Sequence, residues 1–412
     1  MANVSSSNGL EKRPKLRFPG FDEPYRTTHL GEIATLVNRT DPKSNAPIMM
    51  LSAGNGFIMQ SVKYSRDNAG QSLKKYILLK QGELAYNHGA SKAKQFGCCY
   101  ELTEPEARIP YVYHCFKVSD TEYTPFVAAT LNNPKMDKQL KRLVSSSVRM
   151  DGLLNISFDD YMSVSLHLPS FAEQKKIADF LKKLDERITA QEMLVASLKK
   201  YKRGLLRTIF LEKSALALLE TADNLKIEEV CDVLSGKRIP KGETFSSQPT
   251  EYRYITVSDM GEKYVCSDTL QYITPHTEKQ ISRYKVKDGD IIISVAGTLG
   301  KLNIITSDLE GVNLTENCDR FTNFRRINPE YLYYVLSSDL IQAQIEASKT
   351  KNGQPKLALE RIRNFTIPVP EQSNQEKLVR VMNTIDRQIA FYQAIYEKSC
   401  AMRAALLQQL FI

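Results

Sequence analysis

The chain has 412 residues, which is enough for two or three domains that each bury a core of their own. Hydrophobic residues make up 42% and charged residues 25%, a composition that excludes a largely disordered chain. The net charge of +9 favours a polyanionic partner such as nucleic acid, although many basic proteins bind none.

Membrane insertion and disulfide frameworks are disfavoured by the same totals. No stretch reaches the roughly 18 to 20 apolar residues of a membrane span, and the opening MANVSSSNGLEKRPK lacks the apolar run of a secretory signal. We therefore expect a cytoplasmic protein. The seven cysteines form no CxxC pair and the histidines are scattered, so we predict reduced, mostly buried thiols and no metal site.

The first globular segment follows a polar N-terminal stretch. Residues 1–15 are predicted to be a disordered tail. Residues 16–168 alternate short β-branched and aromatic runs with Gly, Pro and Asn, which predicts a mixed domain with a curved, mostly antiparallel sheet and peripheral helices. Its loops are rich in basic and amide side chains, which can pair with base edges or phosphates. The candidate DNA contacts here are Arg39, Asn55, Asn87, His88, Ser91, Lys92 and Lys94.

A long amphipathic segment over residues 169–212 comes next. Pro169 and a short polar stretch open it, as expected at a helix start. Apolar residues then recur at steps of four and three, the spacing of a coiled-coil seam. The seam positions are Ile177, Leu181, Leu184, Ile188, Val195 and Leu198. With no internal Gly or Pro before Gly204, a helix of about 39 residues, roughly 58 Å long, is expected.

Residues 213–368 form a second globular segment of the same mixed composition. The candidate DNA contacts in its loops are Lys237, Arg238, Lys241, Thr298, Lys301, Lys349, Lys351, Asn352 and Gln354. KTKNGQPK (349 to 356) is the strongest of these loops because it combines three lysines and two amides with no acid. Taken singly, each loop also fits an ordinary solvent-exposed turn. GTLGK (297 to 301) lacks the Walker A spacing, so we reject a phosphate-binding loop there.

The final segment, residues 369–412, repeats the first helical segment at an offset of 201 residues. Laying 169–210 over 370–411 without a gap gives eight identities in 42 positions, and the second seam is Leu378, Met382, Ile385, Ile389, Tyr392 and Tyr396. Fainter echoes link 30–40 with 227–237, 80–87 with 287–294, and 154–169 with 355–370. We therefore predict an α+β fold in which two long helices, one after each globular domain, pair as an antiparallel coiled coil with pseudo-twofold symmetry.

Signatures of catalysis are missing from the sequence. No Pro-Pro pair occurs, so the adenine-binding motif of a DNA methyltransferase is lacking. HExxH, Walker A and GxSxG motifs are also missing. The sequence predicts a reader of DNA with no catalytic residue and no cofactor of its own.

Three stretches together resemble a known family. PSFAEQKKIADFLKKLDERI, the later LKKYKRGLLRTIF and the opening KLRFPGF are similar to the specificity (S) subunit of type I restriction-modification enzymes. The resemblance spans the chain as two target recognition domains, each followed by a helical conserved region. The second copy departs from the pattern: its Glu-Gln pair stands earlier, at Glu371 and Gln372, while the aligned positions hold Asn374 and Gln375.

The resemblance implies a non-catalytic DNA-recognition subunit. Each recognition domain would bind one half of a bipartite double-stranded target, and the paired helices would set the gap. Two adenine-N6 methyltransferase subunits would dock on this chain, and restriction subunits that act as motor and nuclease would join them. The expected docking residues are Glu173, Gln174, Asp185, Gln375 and Asp386. S-adenosylmethionine, ATP and magnesium are expected on those partner subunits.

Three other interpretations stay open. A stand-alone DNA-binding regulator that dimerises through its helices would bind specific DNA tightly as the purified chain. A fused methyltransferase or a nuclease with an unrecognised site would convert DNA when given magnesium and labelled S-adenosylmethionine. A purely structural coiled-coil scaffold would leave two sizeable, dissimilar domains unexplained.

Overall fold

The computed structural model describes residues 2–3, 12–63, 70–91, 94–144, 154–211, 219, 221–347 and 356–412. The fold belongs to the predicted α+β class. It divides into two compact units: unit 1 comprises Met1–Gln191 and Ile395–Ile412, and unit 2 comprises Glu192–Ala394. These limits fall inside the two long helices, whereas the predicted domain limits fall at their ends.

Unit 1 pairs all its described strands antiparallel. The strands are β1 (Ala2–Asn3), β2 (Leu16–Arg17), β3 (Arg26–His29), β4 (Ala34–Leu36), β5 (Met49–Ser52), β6 (Gly56–Met59), β7 (Ile77–Lys80), β8 (Leu84–Asn87), β9 (Cys98–Glu101), β10 (Glu106–Ile109), β11 (His114–Val118) and β12 (Ser165–Leu168). A four-stranded sheet has the order β4-β11-β8-β9, and the other strands form the pairs β1-β2, β3-β12, β5-β6 and β7-β10.

Most helices of unit 1 pack against one face of this sheet. The helices of this unit are α1 (Leu30–Ile33), α2 (Gln60–Lys63), α3 (Thr124–Leu131), α4 (Pro134–Leu143), α5 (Phe158–Met162) and the first half of the long helix α6 (Phe171–Leu211), with a 3₁₀ turn at Gly70–Lys75. Because side chains alternate along a strand, Leu84 and Tyr86 of β8 face the core beside α3 and α6, whereas Ala85 faces a second, smaller core.

Unit 2 is antiparallel apart from the parallel pair β15-β19. Its described strands are β13 (Asp223–Lys226), β14 (Asp232–Ser235), β15 (Arg253–Ile255), β16 (Gln271–Tyr272), β17 (Ile291–Ser294), β18 (Leu302–Ile304), β19 (Asn313–Leu314), β20 (Cys318–Thr322) and β21 (Thr366–Val369). They form a four-stranded sheet β14-β20-β17-β18, a three-stranded sheet β16-β15-β19 and the pair β13-β21.

Side-chain caps begin some of the helices of unit 2. The helices of this unit are α7 (Ile227–Val230), α8 (Pro275–Ile281), α9 (Pro329–Ser337), α10 (Asp339–Ala347), α11 (Leu359–Arg363) and the first half of α12 (Gln372–Leu410), with 3₁₀ turns at Val257–Asp259, Ser267–Thr269 and Ser307–Leu309. At α9, the Asn328 side chain accepts hydrogen bonds from the amides of Glu330 and Tyr331, and Pro329 occupies the first turn, where its missing N–H costs nothing.

The two units are built on the same plan. Strands β4, β11, β8 and β9 correspond in order to β14, β20, β17 and β18. The pair β3-β12 corresponds to β13-β21, α1 to α7, and α5 to α11. All three sequence echoes fall on these equivalent elements and are confirmed.

Both long helices extend close to their predicted limits. All twelve seam positions are buried or half-buried, as the heptad pattern predicts. Ile177 and Leu181 share the unit 1 core with α3, however, and Leu378 and Met382 share the unit 2 core with α9. The early seam positions therefore pack on a globular core as well as on the other helix, which the pattern alone did not reveal.

The described residues of the segment before the first domain make contacts with unit 1. Lys12 accepts a backbone hydrogen bond from Tyr25 at 2.8 Å, and Pro14 is buried. Ala2–Asn3 pair with Leu16–Arg17. Order from Lys12 onward corrects the predicted tail of residues 1–15 at its C-terminal end. Residues 1 and 4–11 lie outside the described residues.

Candidate nucleic-acid interface and helix junctions

The opening of α6 is fastened to unit 1 by buried polar side chains. Gln174 accepts a hydrogen bond from the backbone amide of Tyr123 at 2.9 Å and donates to the carbonyl of Pro169 at 3.0 Å. Glu173, which has no exposed side-chain surface, forms a two-point pair with Arg17 at 2.8 and 2.7 Å. Such a forked pair fixes orientation as well as charge.

The opening of α12 repeats the glutamine contacts in unit 2. Gln375 accepts from the backbone amide of Asn328 at 2.7 Å and donates to the carbonyl of Pro370 at 2.8 Å. Tyr123 and Asn328 each precede an equivalent helix, α3 and α9. The identical glutamines at offset 201 therefore join each long helix to its own globular domain in the same way.

Three of the five predicted docking residues make internal contacts that do not favour a docking role. Glu173, Gln174 and Gln375 are buried, and their side-chain atoms are engaged inside their own units. A partner subunit cannot reach such atoms without unfolding the helix opening. The repeated Gln thus marks an internal junction, and the docking role of these residues stays a prediction.

The repeated aspartates join the two long helices. In unit 1, Asp185 of α6 pairs with Arg403 of α12; in unit 2, Lys202 of α6 pairs with Asp386 of α12 at 2.5 Å. The 201-residue offset carries Asp185 onto Asp386 and Lys202 onto Arg403, so the two ion pairs are equivalent. Residue numbers rise along α6 as they fall along α12, so the helices run antiparallel.

Asp386 lies in a dense polar cluster. Besides Lys202, it accepts a hydrogen bond from the Tyr334 hydroxyl at 2.6 Å and lies 3.3 Å from the Lys263 ammonium. Burial alone would raise its pKa, but the hydrogen bonds from Lys202 and Tyr334 outweigh burial and the pKa is lowered. These partners hold Asp386 inside unit 2, and its docking role is untested. Asp185 is more exposed, and its docking role stays a prediction.

Several predicted DNA contacts in unit 1 have internal partners. The Lys94 ammonium donates to the carbonyl of Asn132 at 2.7 Å, and burial lowers its pKa. His88 is buried beside His114, with ring centroids 5.0 Å apart. Arg39 pairs with Glu83. Burial of His88 and the internal hydrogen bond of Lys94 do not favour a DNA-binding role, which stays untested for both.

The remaining unit 1 candidates lie nearer the surface. Asn55 and Ser91 are exposed in turns. Asn87 is half-buried, and its side chain accepts from the amide of Gly89 at 2.9 Å, which holds the loop that follows β8. Asn55 and Ser91 stay predicted contacts, as does the half-exposed Arg39. Lys92 lies outside the described residues.

Unit 2 presents its candidate cations on one loop. Lys237, Arg238 and Lys241 are exposed after β14, and Thr298 is exposed after β17. The half-buried Lys301 ammonium instead donates to the carbonyl of Met260, so its role as a DNA contact is less favoured and stays a prediction. The strongest predicted loop cannot be placed: Lys349, Lys351, Asn352 and Gln354 lie outside the described residues.

A cavity of about 410 Å³ opens beside this basic loop in unit 2. Its lining combines aromatic, hydroxyl, amide and charged side chains, namely Arg238, Ile239, Phe245, Tyr254, Thr256, Val257, Ser258, Thr315, Glu316 and Asn317. Phe245 and Tyr254 meet edge to face, with ring centroids 5.7 Å apart. Of these residues the sequence singled out only Arg238, since the others are brought together by contacts between distant strands.

Residues 220–398 match the family described as Type I restriction modification DNA specificity domain. Over these residues the chain is similar to a type I specificity domain. Curated relatives agree: the Type I restriction enzyme MjaVIII specificity subunit of Methanocaldococcus jannaschii is 21% identical over 267 residues, covering 61% of this chain and 62% of that protein. The Type I restriction enzyme EcoBI specificity subunit of Escherichia coli is 25% identical over 258 residues, covering 57% of this chain and 54% of that protein.

The chain aligns with less than two thirds of the length of either curated relative. Its fold is similar over nearly the full length to the type I restriction-modification S subunit from M. genitalium, with a TM-score of 0.59, 15% identity, and coverage of 97% of this chain and 99% of that one. A chain from a study of complex assembly and conformational transition of the type I R-M system gives a TM-score of 0.56 at 17% identity, covering 96% and 99%. The family resemblance is confirmed.

Within the described part of the chain, no helix has the length and apolarity to cross a membrane.

Proposed function

We propose that this chain is the DNA-recognition subunit of a type I restriction-modification complex and binds a bipartite target. The observation that carries the proposal is the doubled plan of the fold. Each unit has a four-stranded sheet of the same order, the same glutamine junction and an equivalent helix ion pair. The scaffold is repeated while the loops differ, as expected if each domain binds a different half-site.

The charge of the exposed loops supports binding to DNA. Lys237, Arg238 and Lys241 follow one another on the surface of unit 2, and exposed cations attract phosphates at long range. Sequence must then be read by side chains that reach base edges. In this proposal the loops after β14 and after β17 carry out that reading in unit 2.

Within the proposal, this chain positions the complex and does no chemistry. Two adenine-N6 methyltransferase subunits dock on it, and motor and nuclease subunits join them to cut unmodified DNA. S-adenosylmethionine, ATP and magnesium belong to those partners, and the assembly works on cytoplasmic DNA. The helices fix the gap between the half-sites.

The proposal is tested by co-expressing the chain with the methyltransferase subunit of the same system and mapping adenine methylation across the host genome. We expect a bipartite motif with one modified adenine in each half. Exchanging residues 30–168 for the same region of a relative should then alter one half only. A motif that changes in both halves, or the lack of any gapped motif, would contradict one domain per half-site.

The same preparation separates the proposal from a stand-alone regulator. The purified chain should bind its motif weakly until methyltransferase subunits are added. Tight, specific binding by the chain alone would favour the regulator.

A further inference from the structure

The guanidinium of Arg238 is held by a carboxylate at the rim of the unit 2 cavity. Its Nε donates to Oε1 of Glu316 at 2.5 Å, and the other carboxylate oxygen, Oε2, accepts from the hydroxyl of Thr315 at 3.0 Å. Thr315 is buried in the fold. A chain of hydrogen bonds thus runs from the core to an arginine whose side chain is 78% exposed.

The backbone that carries Arg238 is also fixed. The amide of Lys237 donates to the carbonyl of Leu314 at 2.8 Å, and the Tyr254 hydroxyl donates to the carbonyl of Lys237 at 2.7 Å. A Cβ at Gly236 would lie 2.0 Å from the carbonyl oxygen of Thr315, so only glycine allows this close approach. The loop and its partner strand behave as one rigid support.

This geometry leaves one edge of the arginine available. Arg has five N–H donors in a planar fork, and Glu316 engages the Nε side. The two terminal amino groups, Nη1 and Nη2, can then point away from the protein as a pair. Two parallel N–H groups match O6 and N7 of guanine, the most common specific contact in the major groove. Preorganisation lowers the entropy cost of forming that contact.

We infer that Arg238 is a specificity-determining residue that reads one guanine in the half-site bound by unit 2, and that Glu316 is its positioning residue. The inference rests on the proposed function and names the base-reading residue within it. The cavity beside Arg238 provides room for the base edge, and the amide of Asn317 and the hydroxyl of Ser258 line it.

Substituting Arg238 tests the inference in the complex with the methyltransferase subunit. Arg238→Lys keeps the charge but loses the fork, so it separates guanine reading from phosphate binding. We expect Arg238→Lys and Arg238→Ala both to weaken binding of the cognate duplex by about 10- to 100-fold and to leave a duplex altered at that guanine nearly unaffected. In the methylation map, a single G·C position in one half should become degenerate.

Glu316→Gln should give a smaller loss of selectivity, about 3- to 10-fold, because the amide oxygen still accepts from Nε but without charge. Arg326→Ala is the matched control. Arg326 is 69% exposed and pairs with Asp223 in the same unit, and it does not line the cavity. We expect a change within about twofold for this variant. Thermal unfolding of each purified chain verifies that the variants fold.

Different results would contradict the proposed function and the inference about Arg238. If the wild-type complex methylates no gapped motif, the proposed function fails. If it does, but the motif lacks a G·C pair in the half assigned to unit 2, or Arg238→Lys leaves every position as selective as before, only this inference fails. If Arg238→Ala weakens binding equally for all duplex sequences and Arg238→Lys restores it, Arg238 contacts a phosphate and the inference is wrong.

Discussion

Units 1 and 2 fasten the same long helices with different side chains. In unit 1, the strongest charge contact lies at the helix opening, where Glu173 and Arg17 are both buried. In unit 2, the aligned position is Asn374, which is half-buried, and half-buried charges lie farther along the helix, where Asp386 meets Lys202 and Lys263. The two units share a scaffold, but their stabilising charge contacts lie at different points along the long helices.

The equivalent ion pairs show the consequence most clearly. Asp185 and Arg403 in unit 1 are 44% and 39% exposed, while Asp386 and Lys202 in unit 2 are 17% and 20% exposed. An exposed pair is weakened by solvent and by salt, whereas a buried charge that loses its partner is costly. Two ion pairs at equivalent positions of the repeat therefore need not contribute equally to stability.

The largest effect is expected at the helix opening of unit 1. Glu173→Ala leaves the Arg17 guanidinium buried without its carboxylate, and we expect a loss of about 3 to 5 kcal/mol in the free energy of unfolding. Urea denaturation, with hydrogen exchange to locate the loss in unit 1, measures it. The control, Asn374→Ala in unit 2, should change stability by less than about 0.5 kcal/mol. Equal losses would mean that the two openings depend on charge alike.

The second-largest effect is expected at the ion pair of unit 2. Asp386→Ala removes the carboxylate from Lys202 and Lys263 and one acceptor from the Tyr334 hydroxyl. Because Lys263 is only 12% exposed, we expect a loss of about 2 to 4 kcal/mol, located in unit 2. A loss below 1 kcal/mol would show that solvent screens this cluster far more than its burial indicates.

The equivalent sheets predict opposite responses to pH. Asp319 of β20 occupies the place of His114 of β11, since each pairs with the equivalent residue of the neighbouring strand. Burial raises the pKa of Asp319 from its ordinary 3.8 to about 6, whereas burial lowers the pKa of His114. A raised carboxyl pKa favours the folded state below pH 3.8, and that contribution is lost as pH rises through about 6. Burial of the neutral His114 ring favours the folded state above pH 6.5, and that contribution is lost as the pH falls below 6.5.

Asp319→Asn tests the acidic half of this pair. The neutral amide keeps an acceptor for the Ser235 hydroxyl but has no charge to bury. We expect unit 2 to gain about 1 to 3 kcal/mol at pH 8 and almost nothing at about pH 3, measured by urea denaturation across that range. A gain that does not depend on pH would contradict titration of Asp319 as its cause.

The sequence predicted the parts of the fold that obey a short period. Heptad spacing gave both long helices and their seam, and the 201-residue offset identified the equivalent Gln174 and Gln375. It could not show that Ile177 packs on a globular core, because a seam residue has the same spacing whichever surface it meets. The junction role of the glutamines depends on Tyr123 and Asn328, whose positions come from tertiary packing.

The candidate site was harder to predict for the same reason. Basic and amide residues in loops are exposed in many proteins, so composition could not separate Lys94 and Lys301, whose ammonium groups donate to backbone carbonyls, from the exposed Lys237. Glu316 is acidic, so a search for basic DNA contacts excludes it. Its contact with Arg238 joins residues 78 positions apart and becomes visible only when β14 and β20 pair.

The smallest effect is expected at the exposed ion pair of unit 1. Asp185→Ala removes the partner of Arg403, yet both side chains retain access to water, so we expect a loss of about 0.2 to 1 kcal/mol. Raising the ionic strength should reduce the difference between Asp185→Ala and the wild type, because salt screens exposed charges, while the loss for Asp386→Ala should change less. Denaturation at low and high salt measures both variants. If Asp185→Ala and Asp386→Ala lowered the free energy of unfolding equally at every salt concentration, burial would not distinguish the two equivalent pairs. The two pairs would then contribute equally to stability.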